Sequence, residues 1–248
     1  MLCLIVRKYR EQDWQGLAEA LEDADLSITS VGVSVQPKKN NVIMGNGYIT
    51  LRGEPFITDK IGDVSFRISP LSFYQVNPAQ MKVLYDLAGE CAGLTGRETV
   101  WDLYCGIGTI GLYLAGKAGH VIGIETVPEA ISNAKENAEI NGIQNAEYHG
   151  GKAEVVFSKL AAGKDGADQV VIVDPPRKGC DEKLLQAITE FAPGRIVYVS
   201  CDPATLARDL KILCENGYQL KRVIPVDQFC HSVHCEVVVS MSRVGSKR

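Results

Sequence analysis

Reactive side chains stand at the ends of several strand-like apolar runs in this chain. Glu125 ends one run, Asp174 follows the run Val170–Val173, and Cys201 follows a third. Parallel strands present their carboxyl ends at one edge of a sheet, where α/β folds bind ligands, so these side chains are expected to share a crevice. A thiol and carboxylates in such a crevice suit nucleophilic catalysis with acid–base assistance.

A glycine-rich segment follows a fourth run. Residues 104–111 read Tyr-Cys-Gly-Ile-Gly-Thr-Ile-Gly, so Gly106, Gly108 and Gly111 match the G-x-G-x-x-G pattern of nucleotide-binding turns. Glycines at such a turn let a ligand approach the backbone at the start of the next helix. Glu125 stands where these folds hold a ribose. The same pattern also arises from tight helix–strand packing alone.

Cys201 directly precedes a predicted helix that opens at Pro203. The unpaired N–H groups and the positive end of a helix lower the pKa of a nearby thiol, so the position predicts a reactive thiolate. The alternative is an inert, buried cysteine. We expect that alternative for Cys91, Cys105 and Cys214.

The segment 230–236 carries two cysteines, two histidines and Glu236. Its spacing matches no standard zinc pattern, and no second ligand cluster lies upstream, so no metal site is predicted. Glu236 opens the apolar run Val237–Val239. A carboxylate there is either a solvated strand end or a general base in a partly dry site.

The composition of the 248-residue chain is that of a soluble globular protein, with 46% hydrophobic and 23% charged residues. Lys and Arg total 26 against 30 Asp and Glu, a net charge of −4, so binding of nucleic acid would need a local basic patch. No apolar run approaches the roughly 20 residues of a membrane span. Eight cysteines without a Cys-x-x-Cys pair or an export signal predict a reduced, cytoplasmic protein.

Two regions differ in their secondary-structure pattern. Residues 1–70 predict a small α+β unit with one helix near 11–23. From about residue 77, strands and helices alternate regularly, which predicts a doubly wound parallel sheet. We therefore expect two domains, 1–70 and 71–248. The strands predicted for the first are Leu2–Val6, Ile28–Val35, Tyr48–Leu51 and Val64–Ile68, and those for the second are Thr99–Tyr104, His120–Glu125, Gln169–Asp174, Arg195–Ser200, Tyr218–Val226 and Glu236–Met241.

Five segments between residues 70 and 243 carry motifs that are specific in combination. They are Ser72–Asn77, Asp102–Gly108, Asp174–Gly179, Val199–Asp209 and His231–Glu236. In these segments the chain resembles the S-adenosylmethionine-dependent RNA uracil-5-methyltransferases, most of all the branch that modifies a uridine of 23S ribosomal RNA. The resemblance implies a Rossmann-like class I methyltransferase domain preceded by the remainder of a central, RNA-contacting α+β domain.

The resemblance also implies a mechanism and a set of site residues. Cys201 would add to carbon 6 of uracil, carbon 5 would take the methyl group from the sulfonium of S-adenosylmethionine, and Glu236 would remove the carbon-5 proton. RNA would be the partner. The residues implied to bind the donor are Gln75, Tyr104, Gly106, Gly108, Glu125 and Asp174, and those implied to contact the RNA are Arg177 and Lys178.

Members of this family usually carry an N-terminal RNA-binding β-barrel, and some bind an iron–sulfur cluster through upstream cysteines. Neither feature is found, so the chain is expected to be a shortened form that retains only a local basic patch. Besides Arg177 and Lys178, that patch would draw on Arg208 near the crevice and on Arg243, Lys247 and Arg248 in the tail.

Four other functions stay open at this point. The RNA substrate could be tRNA, or the chain could be a non-catalytic RNA-binding module that binds the donor without turnover. Asp-Pro-Pro loops also serve amino-group methylation, but that chemistry needs no cysteine. A nucleotide-dependent oxidoreductase would leave Asp174, Cys201 and Glu236 without roles. Neither the uridine nor the oligomeric state is determined by the sequence.

Overall fold

The computed structural model describes residues 1–23, 27–39, 43–45 and 47–245. The chain divides into two compact units, Met1–Asp59 with Phe66–Phe73 and Lys60–Ser65 with Tyr74–Arg248. The roles that the sequence assigns to its domains 1–70 and 71–248 stay predictions.

The first unit contains a small sheet in which β1 is parallel to β2 and β3 is antiparallel to β2. A 3-10 turn, Glu11–Asp13, precedes α1, so the predicted helix begins later than expected. Strand β4 was not predicted, because five residues of mixed character give too little periodicity. The elements are β1 (Leu2–Val6), α1 (Gln15–Asp23), β2 (Ser30–Val35), β3 (Tyr48–Gly53) and the hairpin β4 (Ile57–Ile61) and β5 (Val64–Ile68), whose tip belongs to the second unit.

The larger sheet, as described, has seven strands in the order β11-β12-β10-β9-β6-β7-β8. The five strands β6 to β10 form a parallel sheet. Strand β12 is antiparallel to β10, and β11 is antiparallel to β12. The predicted doubly wound α/β fold is confirmed. The strands are β6 (Thr99–Leu103), β7 (His120–Glu125), β8 (Ala146–Gly150), β9 (Gln169–Val173), β10 (Arg195–Ser200), β11 (Tyr218–Val226) and β12 (Glu236–Arg243).

Three helices of this unit, α2, α6 and α7, begin at side chains that accept backbone N–H groups. Asn77 accepts from Gln80, and Asp202 accepts from Ala204 and Thr205. Strand β8 and helix α5 lie in a stretch without clear periodicity, and Lys152 offers no capping side chain there. The helices are α2 (Pro78–Ala92), α3 (Thr109–Leu114), α4 (Pro128–Ile140), α5 (Ala153–Ala161), α6 (Glu182–Phe191) and α7 (Pro203–Glu215).

The two faces of the large sheet differ in character. On one face the Trp101 ring meets Phe157 and Phe191 edge-on at 5.1 and 5.7 Å, within a continuous apolar cluster. Because side chains alternate along a strand, Asp102 points to the opposite face, where it is 1% exposed. That face therefore carries a buried carboxyl group beneath the crevice.

Among the described residues, no helix combines the length and the apolar character that crossing a membrane requires.

Candidate active site

The strand order reverses between β6 and β9, which places a crevice at their carboxyl ends. The chain moves from β6 through β7 to β8 on one side and then returns to β9 on the other. Leu103, the last residue of β6, is in register with Ile124 and Val173. The next residues, Tyr104, Glu125 and Asp174, therefore stand side by side at the point where such sheets bind ligands.

The thiol and the carboxylate of the predicted chemistry lie at adjacent strand ends. Ser200 of β10 pairs with Val237 of β12 in an antiparallel ladder, so Cys201 and Glu236 are the next opposed positions. Opposed residues of such a ladder have Cα atoms roughly 4.5–5.5 Å apart. Glu236 is 3% exposed, and Cys201 is half-buried.

Four carboxyl groups form a row along the crevice, which we call the acidic row: Glu125, Asp102, Asp174 and Glu236. Strand alternation places the last three on one face of the sheet. Desolvation, together with Glu125, raises the pKa of Asp102 to about 7, although the Gly111 N–H lowers it. Asp174 is only partly buried by surface area, yet desolvation followed by Glu236 and Asp102 raises its pKa to about 8. A row of this kind favours a cationic ligand.

Asp102 anchors the glycine-rich turn from below. Its Oδ2 accepts the Gly111 N–H at 2.9 Å, while its Oδ1 is buried without a hydrogen-bond partner in the described part of the chain. An unpaired buried acceptor raises the free energy of the folded state.

The turn between β6 and α3 combines strain with open space. Tyr104 has a φ of +72°, unusual for a residue other than glycine, and its N–H and that of Cys105 both donate to the Ile124 carbonyl at 3.0 Å. A Cβ at Gly106, whose φ is +53°, would meet no atom within 4 Å, whereas one at Gly108 would lie 2.8 Å from the Tyr148 hydroxyl. Gly106 therefore leaves room for a ligand, whereas Gly108 lies close to the Tyr148 side chain.

Glu125 connects this turn to helix α4. Its Oε1 accepts the N–H groups of Thr126 at 2.6 Å and Val127 at 2.9 Å, and its Oε2 accepts that of Gly106 at 3.3 Å. The carboxylate is thereby held at the mouth of the crevice beside Gly106.

Gln75 precedes α2 and lies beside Gln228, which follows β11. It is 6% exposed, and its Oε1 is 3.5 Å from Nε2 of Gln228, itself 1% exposed. The Asn77 side chain donates to the Gln228 carbonyl at 3.1 Å, which ties the segment before α2 to the end of β11. Sequence reasoning missed Gln228, since a lone polar residue after a strand belongs to no recognisable motif.

The predicted lowering of the Cys201 pKa is wrong. Desolvation raises the pKa of this thiol, the neighbouring Glu236 and Asp174 raise it further, and only Arg177 and a backbone hydrogen bond oppose them. The Ala204 and Thr205 N–H groups at the start of the helix donate to the Asp202 carboxylate, each at 3.0 Å. The resting thiol is therefore protonated to a larger extent than an ordinary cysteine.

This raised pKa predicts slow alkylation of Cys201 near neutrality. The rate with iodoacetamide should rise with pH to a midpoint above that of free cysteine, because only the thiolate reacts. Glu236→Gln should lower the midpoint, since it removes a neighbouring negative charge. Peptide mass spectrometry across pH 7–10 resolves Cys201 from the other cysteines. A midpoint below that of free cysteine would show that the helix N-terminus dominates.

The predicted basic patch is only partly available to a ligand. Arg177 and Lys178 are exposed after β9, and Arg177 opposes the desolvation that raises the pKa of Glu236. Arg208 instead donates to Asp209 and to the Lys178 carbonyl. Arg243 ends β12, and the predicted contributors Lys247 and Arg248 lie outside the described residues.

The cysteines and histidines of the segment 230–235 do not converge. Within the ranges that the structure describes, no group of three or more His, Cys, Asp and Glu side chains could hold a metal ion. All eight cysteines fall within those ranges and are free thiols.

Comparisons with known proteins identify the family that the chain matches. The family model for tRNA (uracil-5-)-methyltransferase matches residues 1–244. Two curated relatives, both named uncharacterized RNA methyltransferases, are each 52% identical: one from Bacillus cereus over 98% of this chain and 53% of its own length, the other from Halalkalibacterium halodurans over 96% and 52%. The chain thus spans about half the length of these relatives.

A solved structure shares the fold as well as part of the sequence. It is the Pyrococcus abyssi tRNA (uracil-54, C5)-methyltransferase in complex with S-adenosyl-L-homocysteine, with a TM-score of 0.73 and 33% identity over 88% of this chain and 52% of that one. Matches of this extent in both sequence and structure establish homology. The chain belongs to the tRNA (uracil-5-)-methyltransferase family.

Proposed function

We propose that this chain transfers a methyl group from S-adenosylmethionine to carbon 5 of a uridine in RNA. The observation that carries the proposal is the opposition of Cys201 and Glu236 at the ends of β10 and β12, beside Asp174. A nucleophilic thiol facing a base is the pair that this reaction needs.

The crevice has features that fit the donor. When bound, S-adenosylmethionine supplies a methyl group on a positively charged sulfur, whose charge is opposite in sign to that of the acidic row. The space before Gly106 allows close approach of the donor, and Glu125 stands beside it for the ribose. Tyr104, Gly108, Asp174 and Gln75 complete the proposed donor site.

The proposed roles of the protein's own groups balance as a covalent cycle. The Cys201 thiol first loses its proton to solvent, and the thiolate sulfur bonds to carbon 6 of uracil. The electron pair of the ring double bond moves towards carbon 5 and the carbonyl at carbon 4. Once carbon 5 carries the methyl group, the Glu236 carboxylate takes its remaining proton. The released electron pair re-forms the double bond, the sulfur–carbon bond breaks, and Cys201 leaves as thiolate.

The test is intact-protein mass spectrometry after incubation with S-adenosylmethionine and RNA that contains 5-fluorouridine. Fluorine occupies the position of the proton that Glu236 removes, so an active enzyme stalls as a methylated covalent adduct on Cys201. If calorimetry shows binding of S-adenosylhomocysteine but no adduct forms, the chain is the non-catalytic module instead. Parallel fragments of 23S ribosomal RNA, the substrate that the sequence favoured, and of tRNA decide the RNA class.

The donor site predicts a specific effect of Gly106→Ala. The new methyl group enters the space before the turn, so affinity for S-adenosylhomocysteine should fall about tenfold or more, which is about 1.4 kcal/mol. Gly142→Ala is the matched control, because Gly142 also has positive φ (+64°) and open space but ends α4 away from the turn. Both variants should lose a similar stability in urea. Equal donor affinity in the two would contradict the assignment.

A further inference from the structure

Asp209 of α7 is a fully buried carboxylate that the proposed chemistry does not use. It is 0% exposed. Its Oδ2 accepts hydrogen bonds from the Tyr198 hydroxyl at 2.6 Å and from the Cys180 N–H at 2.8 Å. Its Oδ1 accepts a hydrogen bond from Nε of Arg208 at 2.8 Å. A buried charge with this many donors fixes the groups around it.

The loop that follows Asp174 is held by the same helix. Arg208 donates from Nη2 to the Lys178 carbonyl at 3.0 Å, and Thr205 donates to the Arg177 carbonyl at 3.0 Å. Gly179 has a φ of +78°, and a Cβ there would lie 2.6 Å from both Arg208 and Asp209. The helix therefore fits closely around backbone atoms of three consecutive residues.

This arrangement links the two reactive strand ends. Helix α7 begins two residues after Cys201, and the loop Arg177–Cys180 begins three residues after Asp174. We propose that Arg208 and Asp209 form a clamp that fixes the position of this loop relative to Cys201. The clamp keeps both Asp174 and Arg177 in place while Cys201 adds to uracil. The inference rests on the proposed function.

The clamp also extends towards the donor side. The Cys180 thiol lies beside the side chains of Tyr198 and Tyr104, and the Tyr104 side chain lies beside the backbone of Asp181. Arg208 and Asp209 are positioning residues in this account. The charge of Arg208 is offset by Asp209 at 2.7 Å, which argues against a main role in holding phosphate.

The test compares Asp209→Asn with Glu98→Gln. Glu98 is the matched control, because it is also a buried carboxylate paired with an arginine, Arg195 at 3.1 Å, but it precedes β6 at the other end of the strands. Three quantities are measured for each: the rate of adduct formation on 5-fluorouridine RNA, the affinity for S-adenosylhomocysteine, and the rate of trypsin cleavage after Arg177 or Lys178.

Asp209→Asn should slow adduct formation on the order of 100-fold, since a misplacement of about 1 Å has that effect. Its donor affinity should stay within about threefold, and trypsin should cut the loop about tenfold faster, because cleavage needs the backbone released from α7. Arg208→Lys should also slow adduct formation, since lysine lacks the forked donor of arginine. Glu98→Gln should lose stability without either effect.

Two results overturn the clamp. One is an unchanged adduct rate and cleavage pattern in folded Asp209→Asn, and the other is a loss in both variants that follows stability alone. If Asp209→Asn does not fold, Thr205→Val, which removes one bond to the loop, is read in the same way with an effect of about tenfold. If the wild-type chain forms no adduct, the proposed function fails, and trypsin cleavage alone decides the clamp.

Discussion

Replacing Cys201 by alanine abolishes methyl transfer and leaves donor binding intact. The expected loss of turnover is on the order of 10⁴-fold or more, because the variant lacks the proposed nucleophile opposite Glu236 and an unassisted uracil carbon 5 is a poor nucleophile. The affinity for S-adenosylhomocysteine should stay within about threefold, since Cys201 is not among the proposed donor groups, which lie before α2 and at the ends of β6, β7 and β9. Methyl incorporation into RNA and calorimetry measure the two quantities.

Cys214→Ala is the control for this variant. Cys214 is an exposed cysteine on α7, the helix that follows Cys201, so its loss should change neither quantity. Turnover by Cys201→Ala at a rate comparable with the wild type would end the nucleophile assignment. A loss of donor affinity in parallel with turnover would instead indicate a disturbed fold.

Replacing Glu236 by glutamine leaves the RNA attached to the protein. Addition of Cys201 should proceed, and even start from a lower thiol pKa, because the substitution removes a negative neighbour that raises it. Release should slow by about 10²–10⁴-fold, the usual contribution of a positioned base. The adduct on ordinary uridine RNA, already methylated, should accumulate and be visible by denaturing electrophoresis and mass spectrometry.

The pH profile of the wild-type enzyme should reflect the same carboxylate. Desolvation raises the pKa of Glu236, and Arg177 opposes it, so release should slow at acidic pH where the carboxylate is protonated. The control for Glu236→Gln is Glu182→Gln, which lies at the exposed start of α6 and should release product normally. Normal release by Glu236→Gln would place the base elsewhere.

Strong local signals account for the parts of the fold that were predicted. The helix predicted to open at Pro203 begins there, because the Asp202 side chain accepts backbone N–H groups within three residues of itself. The buried strand Gln169–Val173 was found because both of its faces are covered, which leaves an unbroken apolar run. Strand β8 was missed, since at the sheet edge only Tyr148 is buried and no period of two survives.

The site was predicted as a set of residue types but not as an electrostatic environment. The thiol pKa of Cys201 was predicted to fall, yet two carboxylates more than 25 positions away in sequence surround it and raise it. Arg208 was counted as a surface cation, whereas it is paired with Asp209 and the loop after Asp174. Both outcomes depend on distances between elements, which no local pattern contains.

The sequence by itself determined the doubly wound fold, the family and the strand ends on which Tyr104, Glu125, Asp174, Cys201 and Glu236 stand, because periodicity, caps and motif spacing are local properties of the chain. Only the tertiary structure decided which of these groups face one another. The antiparallel return of β12 brings Glu236 opposite Cys201, and the crossover from β8 to β9 brings Asp174 beside Tyr104. Burial and charge there act through space, so the protonation states of the site follow from the folded sheet and not from neighbours in sequence.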